Sequence, residues 1–192
     1  YVLHVISTAL YDSKAFKNVA VSGVILGTDG RKMSKNYGNY PDPKEMLLKY
    51  GGDALRLYLL GSPVMKGEDI IISETAYAEQ TKFLRLLLNV YNFFATNAQA
   101  EGWEAPKALD LKPFNPKNIL DQWIISRLGS TLDNLTKNLE NFDTVESTNQ
   151  SQLLLARDLS TWYVRRLRDL LGPTVAEGPG KEEAYQTLYL VL

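Results

Sequence analysis

Residues 30–38, GRKMSKNYG, place Lys32 and Lys35 three positions apart around Met33 and the small hydroxyl of Ser34, with Gly30 and Gly38 at the two ends. Lysine carries a compact ammonium on a flexible stem, so two of them on a segment hinged by glycines can follow negative charge as it moves. The chemistry that asks for this is departure of pyrophosphate from a nucleoside triphosphate. Charge builds there on the leaving group, and nearby cations stabilise the transition state more than the ground state. The same string also suits an ordinary solvated turn, because lysine and glycine are common on exposed loops. A second basic group, Arg165, Arg166 and Arg168, lies in DLSTWYVRRLRD at residues 158–169. The guanidinium fork matches phosphate oxygens, so these side chains could contact a nucleic-acid backbone; equally, Arg165 could pair with Asp169 on a solvated helix face.

Composition limits what else the chain can do. Its 192 residues hold 21 lysines and arginines against 22 acidic residues, a net charge of −1, so no global basic field attracts nucleic acid and any RNA contact must be a local patch. Cysteine is absent and His4 is the single histidine, which removes disulfides, thiolate metal sites and histidine clusters and suits a reducing cytoplasm. No protein metal site is expected. The longest apolar runs, VSGVILG and LYLLG, fall far short of the roughly 20 residues of a membrane span. The first residues lack an initiating methionine and the last stop within an apolar helical stripe, so the chain reads as a fragment of a longer polypeptide.

The elements that must position these residues are mainly helical. YVLHVISTALY suits a helix, with His4 as a packed residue, and KNVAVSGVILG suits a buried strand or a tight hairpin. Asp42 can cap a helix that has Pro43 in its first turn and ends at Gly51 and Gly52. Asp53 can cap ALRLYLLGS, which Gly61 and Pro63 terminate. From Ser73 onward long stripes take over: Leu84, Leu87, Leu88, Tyr91 and Phe94, then Leu120, Ile124, Leu128, Leu132, Leu135 and Leu139. Between them, residues 101–118 read as a loop with Pro106, Pro113 and Pro116, closed by Asn115 as a cap. A third helix is expected over residues 150–171, with Leu155, Leu159, Trp162 and Tyr163 as core. Gly172 and Pro173 stop it, and after the TVAEGPG turn a fourth starts near Lys181 with Tyr185, Leu188 and Leu192 inward.

Two of these segments carry a family likeness. KMSKN at 32–36 resembles the lysine-rich signature loop of class I aminoacyl-tRNA synthetases, and the run GNYPDPKEMLLKYGGDALRLYLLGSPVMKGEDI that follows is similar to the isoleucine-specific branch. DLSTWYVRRLRD is similar to a segment of the helical anticodon-binding domain of that branch, so the likeness covers essentially the whole chain. The resemblance implies the end of a Rossmann-like α/β catalytic domain over residues 1–40, a helical stem-contact region over 41–73, and an anticodon-binding helix bundle, cut short, over 74–192. It implies an enzyme that activates isoleucine with ATP and Mg²⁺ and transfers it to tRNA(Ile), here represented by a piece inactive alone. Carried over, Lys32, Met33, Ser34 and Lys35 would bind ATP, with Lys32 and Lys35 catalytic, and Arg165, Arg166 and Arg168 would contact tRNA. Asn36 stands where the family's best-known signature has serine, and the histidine-glycine signature has no counterpart, since Val5 and Ile6 follow His4. That gap leaves open a non-catalytic helical module that binds RNA or protein, and a valine- or leucine-specific relative is a further alternative.

Overall fold

Capping chemistry sets most of the helix starts. The Asp42 side chain accepts from the Lys44 N–H at 2.7 Å and Pro43 occupies the first turn, where its missing N–H has no partner to lose, so α2 runs Pro43–Tyr50. Ser73 caps α4 (Glu74–Glu101) and Asn118 caps α5 (Ile119–Glu140). The cap of α5 is thus Asn118 rather than Asn115. In this computed structural model the described residues are 1–106, 114–175 and 178–192, without the Pro179 side chain; Pro113 of the connecting loop and part of the TVAEGPG turn lie outside them.

The remaining elements are α1 (Val2–Tyr11), β1 (Ile25–Leu26), α3 (Gly52–Leu60), a 3-10 turn at Pro63–Lys66, β2 (Ile70–Ile71), α6 (Thr144–Leu153), α7 (Arg165–Leu167) and α8 (Pro179–Val191). A π-helical stretch, Leu154–Val164, joins α6 to α7. The chain is mainly α, as its patterning indicates. The expected buried strand is a half-buried pair of residues: Ile25 lies opposite Ile70 and Leu26 opposite Ile71 in a parallel pairing, while Leu26 also bridges Lys32 in the antiparallel sense of a tight hairpin. Gly52 begins α3 instead of ending α2, and Asp53 sits inside the first turn of α3, paired with Arg56, rather than capping it. α1 buries no residue, and His4 is exposed with its ring 5.5 Å from Phe16.

Gly23 shows how closely the β1 strand approaches its neighbours. A Cβ there would stand 1.9 Å from the Glu68 carbonyl oxygen, and the adjoining backbone is held by Gly23 N–H to Val64 O at 2.7 Å and Val24 N–H to Asp69 Oδ1 at 2.7 Å. Gly23→Ala is expected to cost about 1–3 kcal/mol, as overpacking does, measured as a lower urea midpoint at unchanged m-value.

The main core gathers α4, α5, the π-helical stretch and α8 around Phe94, Ile124, Leu159, Tyr163, Leu167 and Leu188. The neighbours choose which part of each stripe turns inward. On α4 it is Val90, Phe94 and Ala98, leaving Leu87, Leu88 and Tyr91 exposed; on α5 Ile124 is fully buried, while Leu132 and Leu139 face water. On α8 Tyr185 and Leu188 are buried but Leu192 is exposed. A smaller cluster, Met46, Tyr58 and Tyr77, ties α2 and α3 to the start of α4, with the two tyrosine rings 4.7 Å apart. Inside the main core the Tyr163 hydroxyl donates to Asp121 Oδ1 at 2.6 Å. Burial, then the adjacent carboxylate, push the Tyr163 phenol far up, and burial pushes the Asp121 carboxyl up as well.

Candidate functional site

The lysine segment is a folded loop with its own internal hydrogen bonds. Gly27 N–H donates to Arg31 O at 2.7 Å and Gly30 N–H to Gly27 O at 2.9 Å, closing a first turn in which Gly30 has φ +75°. A second turn follows Ser34: its carbonyl accepts from Tyr37 and Gly38 N–H groups, both at 3.1 Å, and its hydroxyl accepts from Asn36 N–H at 3.3 Å. Gly38 sits at φ +55°, where a side chain is disfavoured. Ser34 therefore organises the turn that carries Lys35, and the substitution to Asn36 is accommodated because only its backbone enters this bond.

Lys32 and Lys35 are exposed, and neither has an ion-pair partner among the described residues; Met33 and Ser34 are half-buried. The structure thus brings all four residues into one loop. Beneath it lies an apolar cavity of about 530 Å³. Met33, Lys35 and Tyr40 line its loop side, and Met46, Tyr58 and Tyr77 line its helical side. The loop and α2, α3 and α4 thus share the walls of one cavity. No cluster of three or more acidic or histidine side chains suited to a metal occurs among the described residues.

Asp29 and Asn39 hold the two turns together, and the sequence reading passed over both. Asn39 is only 7% exposed in a segment that is otherwise exposed or half-buried. Its amide donates to Asp29 Oδ1 at 2.8 Å, and Arg31 N–H donates to the same oxygen at 3.0 Å. The Asn39 bond, followed by the Arg31 backbone bond, holds the Asp29 carboxyl below its ordinary range. A buried asparagine beside a glycine in a loop full of charge was the signal available, since a polar side chain is buried only when its hydrogen bonds are met.

The arginine group lies where the π-helical stretch ends. Arg166 places its guanidinium carbon 3.3 Å from the centroid of the Trp162 ring and donates from Nη1 to Trp162 O at 3.0 Å. Trp162, expected in the core with Tyr163, is 48% exposed, while Tyr163 is fully buried. The π-helical register turns Tyr163 and Val164 inward instead, and Thr161 Oγ1 donates five residues back to Ala156 O at 2.7 Å. Arg165, Arg166 and Arg168 are all exposed, and no ion pair joins Arg165 to Asp169. Within the same stretch Asp158 is buried and receives Arg157 Nε at 2.7 Å and Arg127 Nε at 2.9 Å. Burial alone would raise its pKa, but the donors from Arg157 and then Arg127 outweigh that and leave it lowered.

Comparison with known proteins places these features in context. Residues 1–71 match the family of class I tRNA synthetases (I, L, M and V). Over its whole length the chain is 38% identical to an isoleucine–tRNA ligase of Protochlamydia amoebophila, 40% to one of Chlamydia pneumoniae and 42% to one of Bdellovibrio bacteriovorus. In each case it spans 18% of the relative's length. Among solved structures it is similar to the Agrobacterium radiobacter K84 agnB2 LeuRS in a ternary complex with tRNA and LeuAMS, with a TM-score of 0.70 and 19% identity. That match covers 99% of this chain and 22% of the other.

Proposed function

We propose that the chain, similar throughout to isoleucine–tRNA ligases, is a segment of a class I aminoacyl-tRNA synthetase and supplies the ATP-facing loop and tRNA-binding helices of an isoleucine-activating enzyme. In the complete enzyme a carboxylate oxygen of isoleucine bonds to the α-phosphorus of ATP as the bond from that phosphorus to the β-phosphate bridging oxygen breaks. Isoleucyl-adenylate forms, and the electron pair leaves on pyrophosphate. The isoleucyl group then passes to the terminal ribose of tRNA(Ile). Lys35 and Lys32 are the groups that neutralise the departing pyrophosphate, with Met33 and Ser34 setting the loop against α2 and α3. The observation that carries this role is that both ammonium groups are exposed, stand on a turn closed by its own hydrogen bonds and, among the described residues, have no ion-pair partner. Their positive charge is available to a ligand rather than spent on a neighbour.

Mg²⁺ would arrive on the triphosphate. The described residues hold no group of three or more side chains suited to a metal, and Asp29, the carboxylate of the loop, accepts the Asn39 amide and the Arg31 N–H.

In the same reading residues 1–40 close the Rossmann-like catalytic domain, 41–73 form the stem-contact region and 74–192 belong to the anticodon-binding bundle. Arg165, Arg166 and Arg168 contact tRNA phosphates, with Trp162 adding an exposed aromatic surface to the patch. No described helix is long and apolar enough to cross a membrane, and a cysteine-free chain fits a cytoplasmic site. Similarity to isoleucine enzymes along all of the chain favours this function over a stand-alone helical module and over valine or leucine relatives. The test is aminoacylation by the complete gene product with each branched-chain amino acid. Isoleucine is expected to be charged in preference; preferential charging of valine or leucine would overturn the specificity, and no charging of any would overturn the function.

A further inference from the structure

Asn39 touches both arms of the lysine loop at once. Its side-chain oxygen accepts the Ser34 N–H at 3.0 Å, its amide donates to Asp29 Oδ1 at 2.8 Å and reaches the Lys32 carbonyl at 3.4 Å. Its own carbonyl accepts the Thr28 N–H at 2.8 Å and the Thr28 hydroxyl at 3.3 Å. The Lys32 carbonyl and the Ser34 amide flank Met33, and Lys35 follows Ser34 directly. One buried amide therefore fixes the backbone on either side of the pair of ammonium-bearing residues. Space around it is fully used: a Cβ on Gly27 would lie 2.4 Å from Asn39 O and 2.5 Å from Asn39 Nδ2. Asp29 completes the arrangement by accepting the Arg31 N–H, so the Asp29–Asn39 contact is the side-chain link between the first turn and the second, beside the bonds from Thr28 to the Asn39 carbonyl.

We propose that Asn39, through its contact with Asp29, is the positioning residue that fixes the spacing of Lys32 and Lys35, so that the two ammonium groups meet the polyphosphate as a unit. Asn39 touches neither substrate nor reacting atom; it acts by holding the backbone from which both lysines reach. This inference rests on the catalytic reading of the loop given above. Misplacing charged groups by about an ångström is enough to lose most of their effect on a transition state.

Paired variants in the complete enzyme test it. Asn39→Asp sets a carboxylate against Asp29, replacing a donor–acceptor contact with repulsion, whereas Asp29→Asn keeps a carbonyl oxygen able to accept from both the Asn39 amide and the Arg31 N–H. For Asn39→Asp, kcat of isoleucine-dependent ATP–pyrophosphate exchange is expected to fall on the order of ten- to a hundredfold at an unchanged KM for isoleucine. Amide hydrogen exchange across residues 28–38 of the ligand-free enzyme should accelerate. Asp29→Asn should stay within about threefold of the parent in both readouts, while Asp29→Ala, which removes the shared acceptor, should match Asn39→Asp. Parent-like kcat in Asn39→Asp, with or without faster amide exchange, overturns the proposal, and so does parent-like kcat in Asp29→Ala. If the unmodified enzyme itself shows no pyrophosphate exchange with isoleucine, the functional reading fails instead, and amide exchange alone still judges whether the contact orders the loop.

Discussion

Lys35→Ala in the complete enzyme is expected to slow isoleucine-dependent ATP–pyrophosphate exchange on the order of a hundred- to a thousandfold, the loss seen when one preorganised charge-stabilising donor is removed. The expectation follows from how little else the side chain does. Lys35 is exposed and makes no ion pair with a described residue, and the turn it stands on is closed by backbone groups and by the hydroxyl of Ser34. Truncation therefore removes a charge without removing a structural bond, and thermal stability should stay within about 0.5 kcal/mol of the parent. Because pyrophosphate carries more charge on its departing side in the transition state than ATP does in the ground state, the loss should fall on kcat more than on the KM for isoleucine. Lys35→Arg keeps the charge but exchanges a compact ammonium for a planar fork, and should recover only part of the rate. Exchange at the parent rate in Lys35→Ala would remove this residue from catalysis.

Lys181→Met is expected to destabilise the bundle by about 3–5 kcal/mol, the cost of breaking a buried ion pair from one side. Lys181 Nζ lies 2.7 Å from Glu101 Oε2, with the two side chains 5% and 9% exposed, and also donates to Gly172 O at 3.2 Å and Val175 O at 3.0 Å. Glu101 in turn accepts the Gly172 N–H at 2.6 Å. The next two residues extend the clasp: Glu182 accepts from Trp103 Nε1 at 3.1 Å and Glu183 from Lys117 N–H at 3.0 Å. The start of α8 is thereby fastened to the end of α4 and to the approach of α5. Burial works to raise the Glu101 pKa, but donors from Lys181, Tyr185 and Gly172 outweigh it and hold the carboxyl below its ordinary 4.5. A carboxyl whose folded pKa is depressed contributes stability above its unfolded pKa, and that contribution is lost as pH falls through the folded value. Urea unfolding should accordingly show a stability loss on acidification below about pH 4.5 in the parent, blunted in Glu101→Gln. Parent-like stability of Lys181→Met at neutral pH would refute the clasp.

How much of this was legible in the sequence depends on whether a residue's role is set locally or by a partner. Asp42 with Pro43 and Gly61 were readable because capping and turn chemistry act within a few residues, whereas the third helix, expected to run to Leu171 before Gly172, ends at Leu167 and passes into a turn. The lysine loop was readable for the same reason. Trp162 was not: the spacing Leu155, Leu159, Trp162 assumes an α-helical period, and the π-helical stretch moves the inward face to Tyr163, Val164 and Leu167. Leu132 and Leu139 lie off the face that this half of α5 turns inward, where Thr131 is buried and Leu135 and Asn138 are half-buried. Asn39 was missed because its partners, Asp29 and Ser34, are ten and five residues away on a folded-back chain, a proximity that no periodicity encodes.

The contact between α3 and α6 has a mechanical consequence. Thr144 Oγ1 donates to Leu60 O at 2.9 Å, and Gly61 comes so close that a methyl group there would stand 2.9 Å from Thr148 Cγ2. Nearby, Lys66 pairs with Asp143 at 3.4 Å and Gln152 Nε2 reaches Gln80 Oε1 at 2.8 Å. A cavity of about 280 Å³ opens beside these ties, lined by Gly61, Gln80, Thr148 and Gln152, so the seam is pinned at points rather than filled, and a shift of α6 reaches α3 through the Thr144–Leu60 bond.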